Sequence, residues 1–261
     1  MQNSASKIPT LQVTRYVAPL REGGSLPAIV EAENQQLYVL KFRGAGQGVK
    51  ALIAELIGGE IARALELNVP KIIFCQLDEA FGRTEPDEEI QDLLKASTGL
   101  NLGMDYFSGA ITFDIALHKP DNMLASQIVW LDAFLLNVDR TVRNPNMLQW
   151  HQKLWLIDHG AAFYFHHNWA HREQYISSPF EQIKNHVMFP YAGELDMIDH
   201  LHKEILKPEM LCAIVDQIPL EWLNWSGEEN NPVEIKDFYK RFLLGRLENS
   251  AIFIKTIKDA R

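Results

Sequence analysis

Over the first hundred residues apolar and polar positions follow the two-residue rhythm of strands, and from about residue 110 the rhythm lengthens to that of helices. Leu11-Gln12-Val13-Thr14-Arg15-Tyr16-Val17 alternates apolar and polar side chains. Ala28-Ile29-Val30-Glu31-Ala32 and Leu37-Tyr38-Val39-Leu40-Lys41-Phe42 follow it, separated by the turn-forming Glu33-Asn34-Gln35-Gln36. A helix is predicted from Val49 to about Leu67, with Leu52, Leu56, Gly59, Arg63 and Glu66 along one side, ended by Val69-Pro70. Lys71 to Leu77 reads as a buried strand. Thr84, followed by Pro86-Asp87-Glu88-Glu89, opens an acidic helix reaching about Lys95, its carboxylates suited to a helix N-terminus.

In the second part, Asp121 can cap a helix whose stripe of Leu124, Ile128, Leu131, Leu135 and Val138 delivers Asp139 at its end. Met147–Trp150 and Leu154–Ile157 read as two short strands around His151-Gln152-Lys153. Further helices are predicted near Ser178–Val187, Glu194–Leu206, Pro208–Gln217 and Val233–Leu247. With no repeat or flexible linker, the expectation is an α+β chain, β-rich from about residue 10 to 107 and α-rich from about 108 to 261.

The 261 residues suffice to bury a full core, and nowhere is an apolar run long enough to span a bilayer. Thirty-four acidic against 25 basic side chains give a net charge of −9, which disfavours nucleic acid or an anionic membrane as partner. Cys75 and Cys212 lie in apolar segments without CxxC spacing and read as buried thiols of a reducing compartment. The first residues lack a hydrophobic stretch behind Lys7, so a cytoplasmic location is expected.

The chemistry concentrates in Asn137-Val138-Asp139-Arg140-Thr141-Val142-Arg143-Asn144 and, beyond the hairpin, Leu156-Ile157-Asp158-His159-Gly160. Moving a phosphoryl group requires a carboxylate to orient the acceptor hydroxyl and oxygen ligands that hold magnesium against nucleotide phosphates. An Asp, an Asn five residues later and a second Asp after a buried strand supply them. Antiparallel pairing centred on the hairpin turn sets position 145 across from 158, so Asn144 and Asp158 arrive roughly 5 Å apart in backbone, close enough to share a cation. The turn lacks an Asn-Gly or Asp-Gly signal, and the juxtaposition survives a slip of one residue.

Lys41 stands among Tyr38, Val39, Leu40 and Phe42, where its desolvation calls for an anion. Nucleotide phosphates and Glu55, two turns into the following helix, can provide it, with Glu60 as the substitute if that helix is rotated; otherwise Lys41 snorkels from an edge strand. Gly23, Gly24 and Ser25 lie between the first two strands, where backbone N–H groups could approach phosphates, although two glycines also make an ordinary turn. His151, His159, His166, His167 and His171 have neither HExxH nor finger spacing and are expected at turns and on the surface. No Gly-x-Ser-x-Gly elbow supports a hydrolase.

Val39-Leu40-Lys41-Phe42, the Glu55 helix continuing through Ile61-Ala62-Arg63-Ala64-Leu65-Glu66-Leu67-Asn68-Val69-Pro70, Leu131 to Arg140, Asn144 and Leu156-Ile157-Asp158 together resemble the HipA-like kinases. That family belongs to the protein-kinase-like superfamily and is related to phosphoinositide lipid kinases; the resemblance covers about residues 10 to 195. It implies one bilobal kinase domain over 1–261, using ATP and magnesium. Lys41 would contact nucleotide phosphates, Asp139 would be the catalytic base, and Asn144 and Asp158 would bind the metal. Gly99-Leu100-Asn101-Leu102-Gly103-Met104 would be the interlobe hinge, with Leu102 against adenine. The chain departs from kinase motifs in lacking a full Gly-x-Gly-x-x-Gly loop and an Ala-Pro-Glu segment, in placing Arg140 after Asp139, and in carrying His159 where Phe is usual. The resemblance implies a protein substrate accepting phosphate on Ser or Thr, with a small-molecule or lipid kinase and a nucleotide-binding pseudokinase as the other readings. The additional N-terminal region of full-length HipA toxins is not recognisable, and no feature of the sequence supports an antitoxin-like partner.

Overall fold

The computed structural model describes residues 7–20, 26–84, 86–225 and 231–261. Five strands, β1 (Thr10–Pro19), β2 (Ala28–Ala32), β3 (Leu37–Lys41), β4 (Ile72–Leu77) and β5 (Gly99–Asp105), close into a barrel in the order β1-β2-β3-β5-β4. Closure depends on β1, which pairs antiparallel with β2 and, through Thr10–Gln12, parallel with Phe74–Gln76 of β4. Two register shifts in β1 supply the bend that lets one strand serve both neighbours. Alternation then sorts the side chains. Val13, Val30, Tyr38, Leu40, Ile73, Cys75 and Leu77 fill the barrel, whereas Ile72, Phe74, Leu102 and Met104 face outward into a second, larger core.

Helix α1 (Val49–Ala64) joins that larger core through Leu52, Ile53, Leu56 and Ile57, so it is sandwiched between the barrel and the helical part. Gly58 makes this approach possible: a Cβ there would stand 2.8 Å from the Cβ of His159. Helix α2 (Glu88–Ala96) starts at Asp87, whose carboxylate accepts the backbone N–H groups of Glu89 and Ile90; Asp87, not Thr84, is the cap.

The helical part is built around α3 (Asn122–Leu135), capped by Asp121 as its sequence predicts. From Ala125 to Leu135 every residue except Gln127 is buried, so α3 is a central helix and its apolar stripe is only the most obvious part of its buried surface. Its C-terminal carbonyls are satisfied by the buried Arg246, which donates from Nη2 to Ala133 O (2.6 Å) and from Nε to Phe134 O (3.4 Å). Arg246 comes from α6 (Pro232–Glu248); α4 (Leu195–Ile205), α5 (Pro208–Asp216) and α7 (Ser250–Asp259) complete the part. The sequence pattern missed α7, which follows α6 after the single residue Asn249.

A small antiparallel sheet is formed by β6 (Ile111–Thr112), β7 (Met147–Trp150) and β8 (Lys153–Leu156), tied to the stretch after α1 by Leu156 N–H donating to Asn68 O (2.9 Å). The single helix predicted near Ser178–Val187 is instead the 3-10 turn Glu181–Asn185, one of several such turns between residues 164 and 191. Aromatic residues along this stretch dock on α6, as Phe165 does edge-on against Phe238 at 5.1 Å, and they do so without a 3.6-residue period. Between the two parts, Trp222 donates from Nε1 to Leu100 O (2.9 Å) and packs edge-on against Phe74, while Glu221 pairs with Arg43.

Among the described residues no helix is long and apolar enough to cross a membrane. Cys75 is buried, whereas Cys212 is half-buried, short of the expectation for it. His159 and His166 are buried too, against the expectation of turn and surface positions.

Candidate active site

A cleft of about 830 Å³ opens between barrel and helical part, lined by Lys41, Asp139, Asn144, Asn146, Asp158 and the segment Met104–Phe107 among others. Strand β3 delivers Lys41 on its outward side. Helix α1 brings Glu55 to it, 1% exposed, and the two form a salt bridge; Lys41 Nζ also lies 2.6 Å from Asp158 Oδ1. Burial works against the Lys41 ammonium, but Glu55 and Asp158 outweigh it and hold its pKa above the ordinary lysine value. Burial likewise opposes the Glu55 carboxylate, and Lys41 and His159 overcome it, keeping Glu55 ionised well below the usual carboxylate range. Glu55 Oε1 accepts the backbone N–H of Gly160 (3.1 Å), so the same carboxylate ties α1 to the segment carrying Asp158. Glu60, the substitute for Glu55, pairs instead with Arg63.

The hairpin of β7 and β8 adopts the register read from its sequence. Met147 pairs with Leu156 and Trp150 with Lys153, and Ile157 N donates to Asn146 O (3.0 Å), which continues toward 145 opposite 158. His151 and Gln152 take left-handed φ of 47° and 61°, forming the two-residue turn without a glycine. Asp158 (φ 55°) and Asn146 (φ 48°) are left-handed as well, at the two places where chain leaves the hairpin for the cleft.

Asp139 Oδ2 accepts the side-chain amides of Asn144 (2.8 Å) and Asn146 (3.2 Å). A carboxylate cannot donate, so Asn144 turns Nδ2 to Asp139 and keeps Oδ1 free as an oxygen ligand. Beneath the loop lies a buried anchor. Asp132 of α3 accepts Arg140 Nε (2.5 Å) and His186 Nε2 (2.8 Å) on Oδ2, and Asn137 Nδ2 (2.9 Å) on Oδ1. Asn137 Oδ1 in turn accepts Asp139 N–H (3.2 Å), and Arg140 Nη1 donates to Asn146 O and to Ile157 O. Met188 N–H donates to His186 Nδ1 (2.9 Å), which leaves Nε2 carrying the imidazole proton. Burial favours this neutral form and lowers the His186 pKa; burial also opposes the Asp132 charge, yet Arg140 and His186 keep that carboxyl well below its ordinary value. Arg140, following Asp139, is thus the bolt between α3, the loop and the hairpin.

The structure therefore brings Lys41, Asp139, Asn144 and Asp158 to one cleft, with Glu55 buried beside Lys41. Leu102 is a correction: it sits opposite Lys41 on β5 but is fully buried in the core against α1, and the cleft wall is formed by the residues just after it, Met104 to Phe107. Strand alternation explains the shift, since the barrel continues through Asp105 before the chain crosses between the parts. Gly23, Gly24 and Ser25 lie outside the described residues. Sequence reading missed Asn146, Asp132 and His186. The signal for Asp132 was present as a carboxylate inside an otherwise apolar helix, whereas nothing local linked it to His186, 54 residues on.

Among the described residues no group of three or more His, Cys, Asp or Glu side chains could hold a metal ion. The donors at hand, the Asp158 carboxylate and Asn144 Oδ1, are hard oxygens, and two protein ligands beside phosphate oxygens suit magnesium.

A family model described as HipA-like kinase matches residues 13–255. The crystal structure of the Helicobacter pylori proinflammatory kinase CtkA is similar over 96% of this chain and 98% of that one, with a TM-score of 0.55 and 13% sequence identity, a likeness of fold. No curated protein matches.

Proposed function

The chain belongs to the HipA-like kinase family, and from that premise we propose that it transfers the γ-phosphoryl group of ATP to a serine or threonine hydroxyl of a protein. One observation carries this reading: Lys41, Asp139, Asn144 and Asp158, from three separate stretches of chain, line a single cleft. Lys41, fixed by Glu55, holds the nucleotide phosphates, and the base lies against Met104–Phe107. Asn144 Oδ1 and the Asp158 carboxylate would hold magnesium, which when bound neutralises phosphate charge.

Asp139 Oδ2 is taken by two amides, so Oδ1 is the atom left to orient the incoming hydroxyl and receive its proton. The hydroxyl oxygen bonds to the γ-phosphorus as the bond to the bridging oxygen breaks, and ADP leaves. A cytoplasmic setting agrees with two cysteines that are both free thiols. Incubation with γ-labelled ATP, magnesium and cell lysate tests the reading. Label on protein serine or threonine is expected; label on a small molecule or lipid would replace the acceptor, and tight ATP binding without transfer would make the chain a regulatory nucleotide-binding module.

A further inference from the structure

Among the described residues two cations, Lys41 and Arg143, line the cleft, and they differ in what they already hold. Lys41 is committed to Glu55 and Asp158. Arg143 makes no ion pair and no hydrogen bond through its side chain to any described residue. It stands four residues after Asp139 at the tip of a tight turn: Thr141 N–H donates to Asn144 O (2.9 Å), and Asn144 N–H to Thr141 Oγ1 (3.2 Å). The turn is pinned on its far side by the bridge between Thr141 and His186. Its two tip residues are thereby pushed into solvent, Val142 at 67% exposure and Arg143 beside it. A guanidinium at the mouth of a phosphoryl-transfer cleft, on a pinned turn next to the group that orients the hydroxyl, is placed for an anion that arrives with the acceptor. Phosphate charge deeper in the cleft would be met by Lys41 and by a magnesium ion held at Asn144 and Asp158. In a chain of net charge −9, whose cleft also presents Asp105, Asp139 and Asp158, a cation without an ion-pair partner among the described residues is a selective feature.

We propose that Arg143 is a specificity-determining residue for the acceptor, pairing with an acidic side chain close to the phosphorylated serine or threonine, so that the substrate class is an acidic protein segment. The exposed Val142 adds an aliphatic contact at the same tip. This inference rests on the phosphotransferase reading, and the experiment separates the two.

The full-length chain is assayed with ATP, magnesium and three serine peptides of equal length flanked by glutamates, by alanines or by lysines. The glutamate peptide is expected to be phosphorylated with a kcat/KM about threefold to fivefold above the alanine peptide, the upper part of the range for a charge-assisted pair at an exposed site. Arg143→Ala should remove that preference through the peptide KM, leaving the KM for ATP as it was, and Arg143→Glu should turn it toward the lysine peptide. Transfer without preference among the peptides in the unsubstituted chain overturns the role of Arg143 alone. So does an Arg143→Ala variant that raises the ATP KM and slows all three peptides equally, because Arg143 would then serve the nucleotide. Transfer to no peptide, with ATP bound, contradicts the phosphotransferase reading and this inference with it.

Discussion

Lys41 and Asp158 contribute to the cleft through charge, and each can be tested where the backbone tolerates the change. Lys41→Ala should raise the ATP dissociation constant or lower turnover at least about tenfold, roughly 1.4 kcal/mol, in a protein that still folds. Titration of nucleotide followed by steady-state rates checks it; wild-type values in a folded variant would count against phosphate contact. At Asp158 the left-handed φ of 55° favours Asn as the replacement, since Asn enters that region readily, so Asp158→Asn removes charge with little added strain. It should abolish most of the magnesium-dependent part of ATP binding, measured by calorimetry with and without the ion. These residues were legible because their spacing is local: Asp139 and Asn144 share a loop, and Asp158 follows a strand that pairs back on it. Leu102 misled because the hinge was placed inside a strand that runs on to Asp105. The link of Asp132 to His186 was illegible because it joins residues distant in sequence.

Helix α3 and the hairpin are the elements that set the loop. Leu131, fully buried in α3, should cost roughly 2–5 kcal/mol when cut to Ala, the range for a buried leucine that leaves a cavity. Denaturant unfolding measures this, and an unchanged midpoint would contradict the packing. Gly58→Ala tests α1. With His159 Cβ only 2.8 Å from the added carbon, α1 must move off the Asp158 segment. The expected outcome is a weakened Lys41–Glu55 pair, seen as poorer ATP binding with secondary structure retained by circular dichroism. The hairpin register was readable from its apolar pattern even without a glycine in the turn. The closed barrel was not, because β1 meets β4 across some sixty intervening residues in a parallel pairing that no local pattern announces.

At the scale of the molecule, buried ionisable groups couple stability to pH. Glu55 and Asp132 are held ionised, so their contribution is present above the unfolded carboxylate values near about 4 and is lost as pH falls below them. Burial keeps His166, His186 and His202 neutral, with His202 lowered to about 4. The unfolded chain takes up those protons from about pH 6.5 downward while the folded chain does not, so acidification favours unfolding already in that window. His202 touches Trp130 edge-on at 4.6 Å, and neither ring nitrogen has a hydrogen-bond partner among the described residues. It should account for roughly 2 kcal/mol of stability lost between pH 7 and 5. His202→Leu should therefore flatten the fall in melting temperature across that interval, and an equal slope in both proteins would contradict it.

The central claim is that Asp139 serves the incoming hydroxyl while Lys41, Asn144 and Asp158 serve the nucleotide and its metal. Its most direct test is Asp139→Asn measured in parallel for magnesium-ATP binding and for phosphoryl transfer from labelled ATP. The account predicts binding within about twofold of the unsubstituted chain and transfer lower by roughly two orders of magnitude or more. Undiminished transfer in the folded variant would contradict it.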